Sequence, residues 1–245
     1  MEQPENQIIY GRKPVMEALE SGNAVETVFF CGKPSGSLLP IAGVARANGV
    51  VIKEVVKAKL DAMLPDVNHQ GVAAVVSPKE YCTVEEILAL AEQRQQPPFL
   101  VVLDGIEDPH NLGAIIRTAE CAGVHGIIIP KRRSAALSGA AVKTSAGALA
   151  HMLVARVSNI AEEIRRLQDK NIWVYGADMD GEPYLQTDFS GGAALVIGNE
   201  GSGLSSLVAA RCDKLVSIPM RGKINSLNAS VAAGVLIFKI ASGRE

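Results

Sequence analysis

The chain has 245 residues, enough for one or two domains of roughly 150 residues each and for a core that needs neither disulfides nor a structural metal. Hydrophobic residues make up 48% and charged residues 20%, with 24 Lys/Arg against 26 Asp/Glu, which excludes a disordered chain and a polycation that coats nucleic acid by its overall field. No apolar run reaches the roughly 18 residues of a membrane span, and the opening MEQPENQIIYGRK lacks the pattern of a secretory signal, so a cytoplasmic protein with no membrane partner is expected.

Residues 1–79 read as a small α/β module. KPVMEALES has helical spacing, AVETVFFCG carries the β-branched and aromatic residues of a strand, and LLPIAGVARANG reads as a second helix stopped by Gly49. VVIKEVV and GVAAVVSP follow as strands, the latter ended by Pro78. Eight Lys/Arg stand against nine Asp/Glu over residues 1–80, so the module is close to neutral. TVEEILALAEQR reads as an amphipathic helix, and the prolines of QQPP stiffen its exit. Residues 80–98 are therefore expected to link the module to a second domain at 99–245.

From Phe99 the pattern strengthens. FLVVLDG, GIIIP, IWVYGAD, AALVIGNE and KLVSIPM are short apolar runs, each closed by Gly, Pro, Asp or Asn, with helical segments such as LGAIIRTAECAG and IAEEIRRLQDKN between most of them. Continuous apolar strands alternating with helices predict a mostly parallel sheet covered on both faces. NASVAAGVLIFKIA reads as a closing helix, capped by Asn228 or Ser230. In such sheets the ligand lies beyond the carboxyl ends of the strands, which points to residues 104–111, 198–203 and 219–228.

Cys31, Cys82, Cys121 and Cys212 form no C-x-x-C pair, and His69, His110, His125 and His151 show no metal-site spacing, so no metal is expected and the cysteines are read as small buried hydrophobes. In the first loop Asp104 ends a strand, and Pro109 and Asn111 set up a helix carrying Arg117; Asn111 as a simple cap and Arg117 as a surface arginine are the alternatives. The second loop has the spacing G-x-x-G-x-G over Gly198, Gly201 and Gly203, which fits neither a dinucleotide fingerprint nor a phosphate loop, but it holds Glu200 at a strand end. That spacing weakens a nucleotide-dependent oxidoreductase reading. The third loop gathers Arg221, Lys223, Asn225, Ser226 and Asn228 before an apolar helix, more polar groups than capping requires.

Taken in order, DGIEDPHNLGAIIRTA, LVIGNEGSGL and IPMRGKINSLNASVAAG resemble the three motifs of the SpoU/TrmH group of SPOUT RNA methyltransferases, a likeness covering about residues 99–242. Upstream, YGRKPVMEAL and HQGVAA are similar to the L30e-like substrate-binding domain of ribosomal RNA ribose methyltransferases in that group. The resemblance implies an α/β catalytic domain threaded into a deep trefoil knot, a homodimer whose active site is completed across the interface, and transfer of methyl from S-adenosyl-L-methionine to a ribose 2′-hydroxyl of RNA. It tilts the substrate toward a guanosine of 23S ribosomal RNA. A transfer RNA enzyme, a resistance-type enzyme acting on adenosine, and a non-catalytic RNA or ribosome-assembly factor of the same fold are the other readings.

Position by position, the resemblance assigns Gly198, Ile218 and Leu227 to the cofactor. Arg117 then matches the arginine that helps activate the hydroxyl, Glu200 the glutamate that supports it, and Asn111, Ser226 and Asn228 the remaining polar groups. A guanidinium with a pKa above about 12 is a poor base, so Arg117 is read as positioning the ribose and its phosphate, with Glu200 or the RNA phosphate assisting proton removal. Lys131, Arg132, Arg133, Arg221 and Lys223 follow strand ends and would form a phosphate-binding patch, the alternative for the first three being a solvated loop. Arg12 and Lys13 would add to it from the first module, whose neutrality points to recognition of RNA shape or loops.

Overall fold

The computed structural model describes residues 7–21 and 25–244, and two compact units divide them: 7–80 with the short segment 136–139, and the remainder of 81–244. In the first unit the elements run β1 (Gln7–Tyr10), α1 (Arg12–Glu20), β2 (Val25–Cys31), α2 (Leu39–Ala47), β3 (Val51–Val55), α3 (Lys57–Met63) and β4 (Val72–Val76). They build a sheet in the order β1-β4-β2-β3, with β2 and β3 parallel and β4 antiparallel to both neighbours. Val25, Val28 and Phe30 of β2 are buried, and Val28 and Phe30 share a core with Val15 and Leu19 of α1 and Ile41 and Ala45 of α2. That burial, roughly 1.5–3 kcal/mol per large side chain, holds the unit together. Neither β1 nor α3 is legible in the sequence. QIIY is too short to show a period, and α3 buries only Leu60.

The second unit runs α4 (Val84–Gln93), β5 (Phe99–Asp104), α5 (Pro109–Cys121), β6 (Gly126–Pro130), α6 (Gly139–Thr144), β7 (Leu153–Val157), α7 (Ile160–Gln168), β8 (Trp173–Pro183), β9 (Ala193–Gly198), α8 (Ser206–Ala209), β10 (Lys214–Ser217) and α9 (Ala229–Ala241). All six strands are parallel, in the order β10-β8-β9-β5-β6-β7. The chain steps outward from β5 through β6 to β7 and then crosses back, leaving β9 beside β5. The crevice where strand order reverses therefore opens beyond Asp104 and Gly198, which are register partners.

Two expectations need correction here. The stretch read as a linker is part of the second unit: a capping box between Thr83 and Glu86 starts α4, whose Val84 and Ile87 join the core of the parallel sheet. Cys82 N–H also donates to the Val154 carbonyl at 2.9 Å. The prolines signal a stiff exit, but the apolar stripe of the helix needs a core, and the sheet supplies it. The cysteines are not uniformly buried either. Cys121 is exposed and the other three are half-buried, while burial pushes the Cys212 thiol up to about 12, so it stays protonated at neutral pH. Strand β7 was missed because Arg156 interrupts its apolar run; its guanidinium lies over the Tyr81 ring at 4.7 Å. No described helix is long and apolar enough to cross a membrane.

His125 ties the second unit to pH. Its ring is buried, its Nδ1 accepts from the Phe99 N–H at 3.0 Å, and its Nε2 faces Gln96 Oε1 at 3.1 Å. Burial, with Arg94 and Arg244 nearby, pushes its pKa down from 6.5 to about 4. Between those values the unfolded chain binds the extra proton, so stability is full above about pH 6.5 and falls toward pH 4. A urea midpoint lower at pH 5 than at pH 7 is the expected result. His125→Asn should shrink that difference, and an unchanged difference would refute the assignment.

Candidate active site

The site is built on three strand-to-helix turns. At the end of β5, Gly105 turns the chain at φ 84°, a conformation that favours glycine, and its carbonyl accepts from Asn199 Nδ2 at 2.8 Å. Asp104 is a structural acceptor, taking the Ser205 N–H at 2.8 Å. The cap of α5 is Asp108, which accepts from the His110 N–H at 2.8 Å, with Pro109 in the first turn. Asn111 therefore caps nothing. It lies buried in the first turn and donates from Nδ2 to Glu200 Oε1 at 2.8 Å.

After β9, Gly198 passes against the returning chain so closely that an added Cβ would stand 2.3 Å from the Gly203 carbonyl carbon and 2.4 Å from the Leu204 nitrogen. Asn199 Oδ1 accepts the Gly201 N–H, and Asn199 pairs backbone to backbone with Gly203, which fixes the tight loop presenting Glu200. Of the two expected caps for α9, Asn228 is the one used: its Oδ1 accepts from the N–H groups of Ser230 and Val231, and its Nδ2 donates to Asn111 Oδ1 at 3.0 Å and to Glu200 Oε1. Ala229 N–H reaches the same carboxylate oxygen at 3.3 Å. One oxygen thus joins three segments far apart in sequence, and the negative charge sits at the N-terminus of a 13-residue helix, where the helix field favours it.

Beside this knot of hydrogen bonds lies a cavity of about 460 Å³, within the range of small-ligand sites. Gly198, Glu200, Ile218, Ser226 and Leu227 line it, with Ile197, Val216 and Leu236 as apolar walls. Arg117 does not. It is exposed on α5, six residues beyond Asn111, which turns it about 120° away around the helix. Among the described residues the Glu200 carboxylate is held by Asn111, Asn228 and the α9 amide. Arg132, Arg133, Arg221 and Lys223 are exposed. The first two follow β6, the strand next to β5, and the others lie in the loop between β10 and α9. Lys131 is half-buried and its carbonyl accepts from Arg156.

Sequence reasoning missed the wall from β8. Ala177, Asp178, Met179 and Asp180 line the cavity, and Met179 is 64% exposed. They lie in the second half of β8, beyond its buried residues 174–176, and their residue types alone do not mark a wall.

Residues 98–238 match the SpoU rRNA Methylase family, and residues 8–82 match the family described as RNA 2′-O ribose methyltransferase substrate binding. YacO of Bacillus subtilis, assigned to the TrmH family of tRNA/rRNA methyltransferases, is 40% identical over 234 residues, covering 95% of this chain and 94% of its own. Among solved structures, the SpoU methyltransferase AviRb from Streptomyces viridochromogenes in complex with AdoMet superposes with a TM-score of 0.62 at 27% identity, over 97% of this chain and 90% of its own. An AdoMet-bound rRNA methyltransferase from Sinorhizobium meliloti gives 0.60 at 27% identity, over 96% and 87%. A protein studied for 2-OH methylation of C/U34 on tRNA gives 0.54 at 27% identity over only 60% of this chain, although 99% of its own. The chain belongs to the SpoU/TrmH family of S-adenosyl-L-methionine-dependent RNA 2′-O-ribose methyltransferases.

Proposed function

We propose that the substrate is 23S ribosomal RNA and that the methylated sugar is that of a guanosine. The observation that carries this reading is the two-unit build. The rRNA methyltransferase from S. meliloti matches both units, whereas the tRNA-modifying structure matches a share no longer than the second. The guanosine rests on the likeness of YGRKPVMEAL and HQGVAA to the substrate-binding domain of ribosomal RNA ribose methyltransferases.

The cavity beside Gly198 is where S-adenosyl-L-methionine fits. Its aliphatic walls at Ile197, Ile218 and Leu227 suit an adenine face, and the carboxylates of Asp178 and Asp180 suit a cationic ligand. The donor supplies an electrophilic methyl on a sulfonium; the protein supplies alignment, which can account for much of the rate. Asn111, Glu200 and Asn228 hold the three turns in register, and Ser226 adds a polar group to the cavity wall. The loops around 198–205 and 218–228 form the trefoil knot in this reading. The enzyme works in the cytoplasm as a homodimer, with Arg117 reaching the RNA at the partner's cavity. Exposed Val231 and Phe238, two turns apart on one face of α9, give that dimer an apolar stripe.

The test is mass-spectrometric mapping of ribose methylation in ribosomal and transfer RNA from cells lacking the protein. Disappearance of one 23S guanosine mark is expected; a lost transfer RNA mark with intact ribosomal RNA would overturn the assignment.

A further inference from the structure

In the first unit β1, β2 and β3 run the same way, and β4 runs back against them. The carboxyl ends of three strands and the start of the fourth therefore lie at one end of the sheet. The Gly11 N–H donates to the Val72 carbonyl there, and the Cys31 N–H to that of Gly71. Three connections meet at this end: residues 10–14 after β1, 32–39 after β2, and 56–71 between β3 and β4. They carry Arg12, Lys13, Lys33, Lys57 and Lys59, all exposed, against Asp61 and Asp66, with Glu54 near the end of β3 as a third carboxylate at this end. Asp61 is already engaged by His69 Nε2 at 2.9 Å. At the opposite end Glu17, Glu20, Glu26 and Glu80 outnumber Arg46 and Lys79. The near-neutral total thus conceals a polar distribution of charge.

A second observation selects the same end. The first unit has three large apolar side chains exposed among its described residues, Tyr10 at 39%, Leu39 at 55% and Val56 at 72%, and each lies in or beside one of these three connections. Cations alone would suit any duplex backbone. Cations interleaved with an exposed aromatic ring and aliphatics suit RNA whose bases are unstacked and can lie on a side chain.

We infer that this end of the first unit is the RNA-docking surface, with Arg12, Lys13, Lys33, Lys57 and Lys59 on phosphates and Tyr10 stacked on an unpaired base. The inference deepens the proposed function and rests on its premise that the first unit selects the RNA. It names a single-stranded or looped target, because an A-form duplex offers no open base face to Tyr10.

The experiment is fluorescence anisotropy on the full chain with two labelled probes, an RNA hairpin with a wide unpaired loop and a blunt RNA duplex of equal length. Wild type should prefer the hairpin. The triple variant Lys13→Glu, Lys57→Glu, Lys59→Glu should bind the hairpin at least about tenfold more weakly, with a salt dependence shallower by about three units of slope. Tyr10→Ala should lose about tenfold on the hairpin and nothing on the duplex. Arg46→Glu, at the opposite end, should bind both probes as wild type does. Hairpin affinity unchanged in both the triple variant and Tyr10→Ala, or lowered equally by Arg46→Glu, would overturn the surface. Calorimetric binding of S-adenosyl-L-methionine, unchanged in every variant, checks that the second unit is intact. The methylation map is read independently: a lost transfer RNA mark alongside a weakened hairpin contact would sink the ribosomal assignment and leave this surface standing.

Discussion

Glu200→Ala is expected to lower kcat/KM for RNA methylation by about a hundredfold or more and to weaken binding of S-adenosyl-L-methionine. Three donors converge on Oε1: Asn111 Nδ2, Asn228 Nδ2 and the Ala229 N–H. Each hydrogen bond to a charged acceptor contributes roughly 1.5–3 kcal/mol, and truncation leaves the Asn111 amide buried without its partner. The larger effect is positional. With the carboxylate gone, the turns stay linked only in pairs, Asn228 to Asn111 and Asn199 to Gly105, without the shared oxygen, and a shift of about 1 Å at reacting groups can cost about a hundredfold in rate. Glu200→Gln keeps one acceptor and the size of the side chain but removes the charge at the start of α9, so a loss closer to tenfold is expected. Initial rates with radiolabelled donor, beside calorimetric titration, give the comparison. Arg117→Ala supplies the contrast: a residue exposed and outside the cavity should lose turnover while binding the cofactor as wild type does. If Glu200→Ala kept full turnover, the convergence of hydrogen bonds would be a packing detail and not the frame of the site.

The second large effect is expected from Gly198→Ala. The added methyl would meet the backbone of Gly203 and Leu204 at 2.3–2.4 Å, far inside contact distance, and those atoms belong to a turn pinned by Asn199. Backbone cannot rotate away as a flexible side chain would. Overpacking of this kind costs about 3 kcal/mol, which for a chain of this size lowers Tm by roughly 6–12 °C. Because the displaced loop is the wall of the cavity, affinity for S-adenosyl-L-methionine should fall with stability. Thermal unfolding measured with and without the donor separates the two losses. A variant melting like wild type, with its donor-induced stabilisation intact, would show that the turn adapts.

How much of this was legible in the sequence depended on the range of the cause. The apolar runs of β5, β6, β8, β9 and β10 can be read because a strand buried on both faces must be apolar throughout, a local demand. The helix α9 could be read for a similar reason, but its cap could not. Asn228 and Ser230 are equally good local candidates, and only the contact of Asn228 with Asn111 and Glu200 separates them. Asn111 itself looked like a cap because Asp108, three residues earlier, performs that task with the same chemistry. The helix α4 is amphipathic in the sequence, but which core takes its apolar face is set only by the sheet it meets, and one arginine hides β7. Asp178, Met179 and Asp180 were invisible as a wall because what makes them one is the crossover that returns β8 beside β9.

The sequence alone determined the alternation of strands and helices, the parallel sheet, and the three ordered loops that carry the chemistry, since these follow from periodicity and residue type within a few turns of chain. Tertiary structure decided that Glu200 meets Asn111 and Asn228, that a cavity opens beyond β8 and β9 against α9, and that the first unit's charge is gathered at one end. Those outcomes are set by strand order and direction, and in a folded chain such distances in space bear no fixed relation to distances along the sequence.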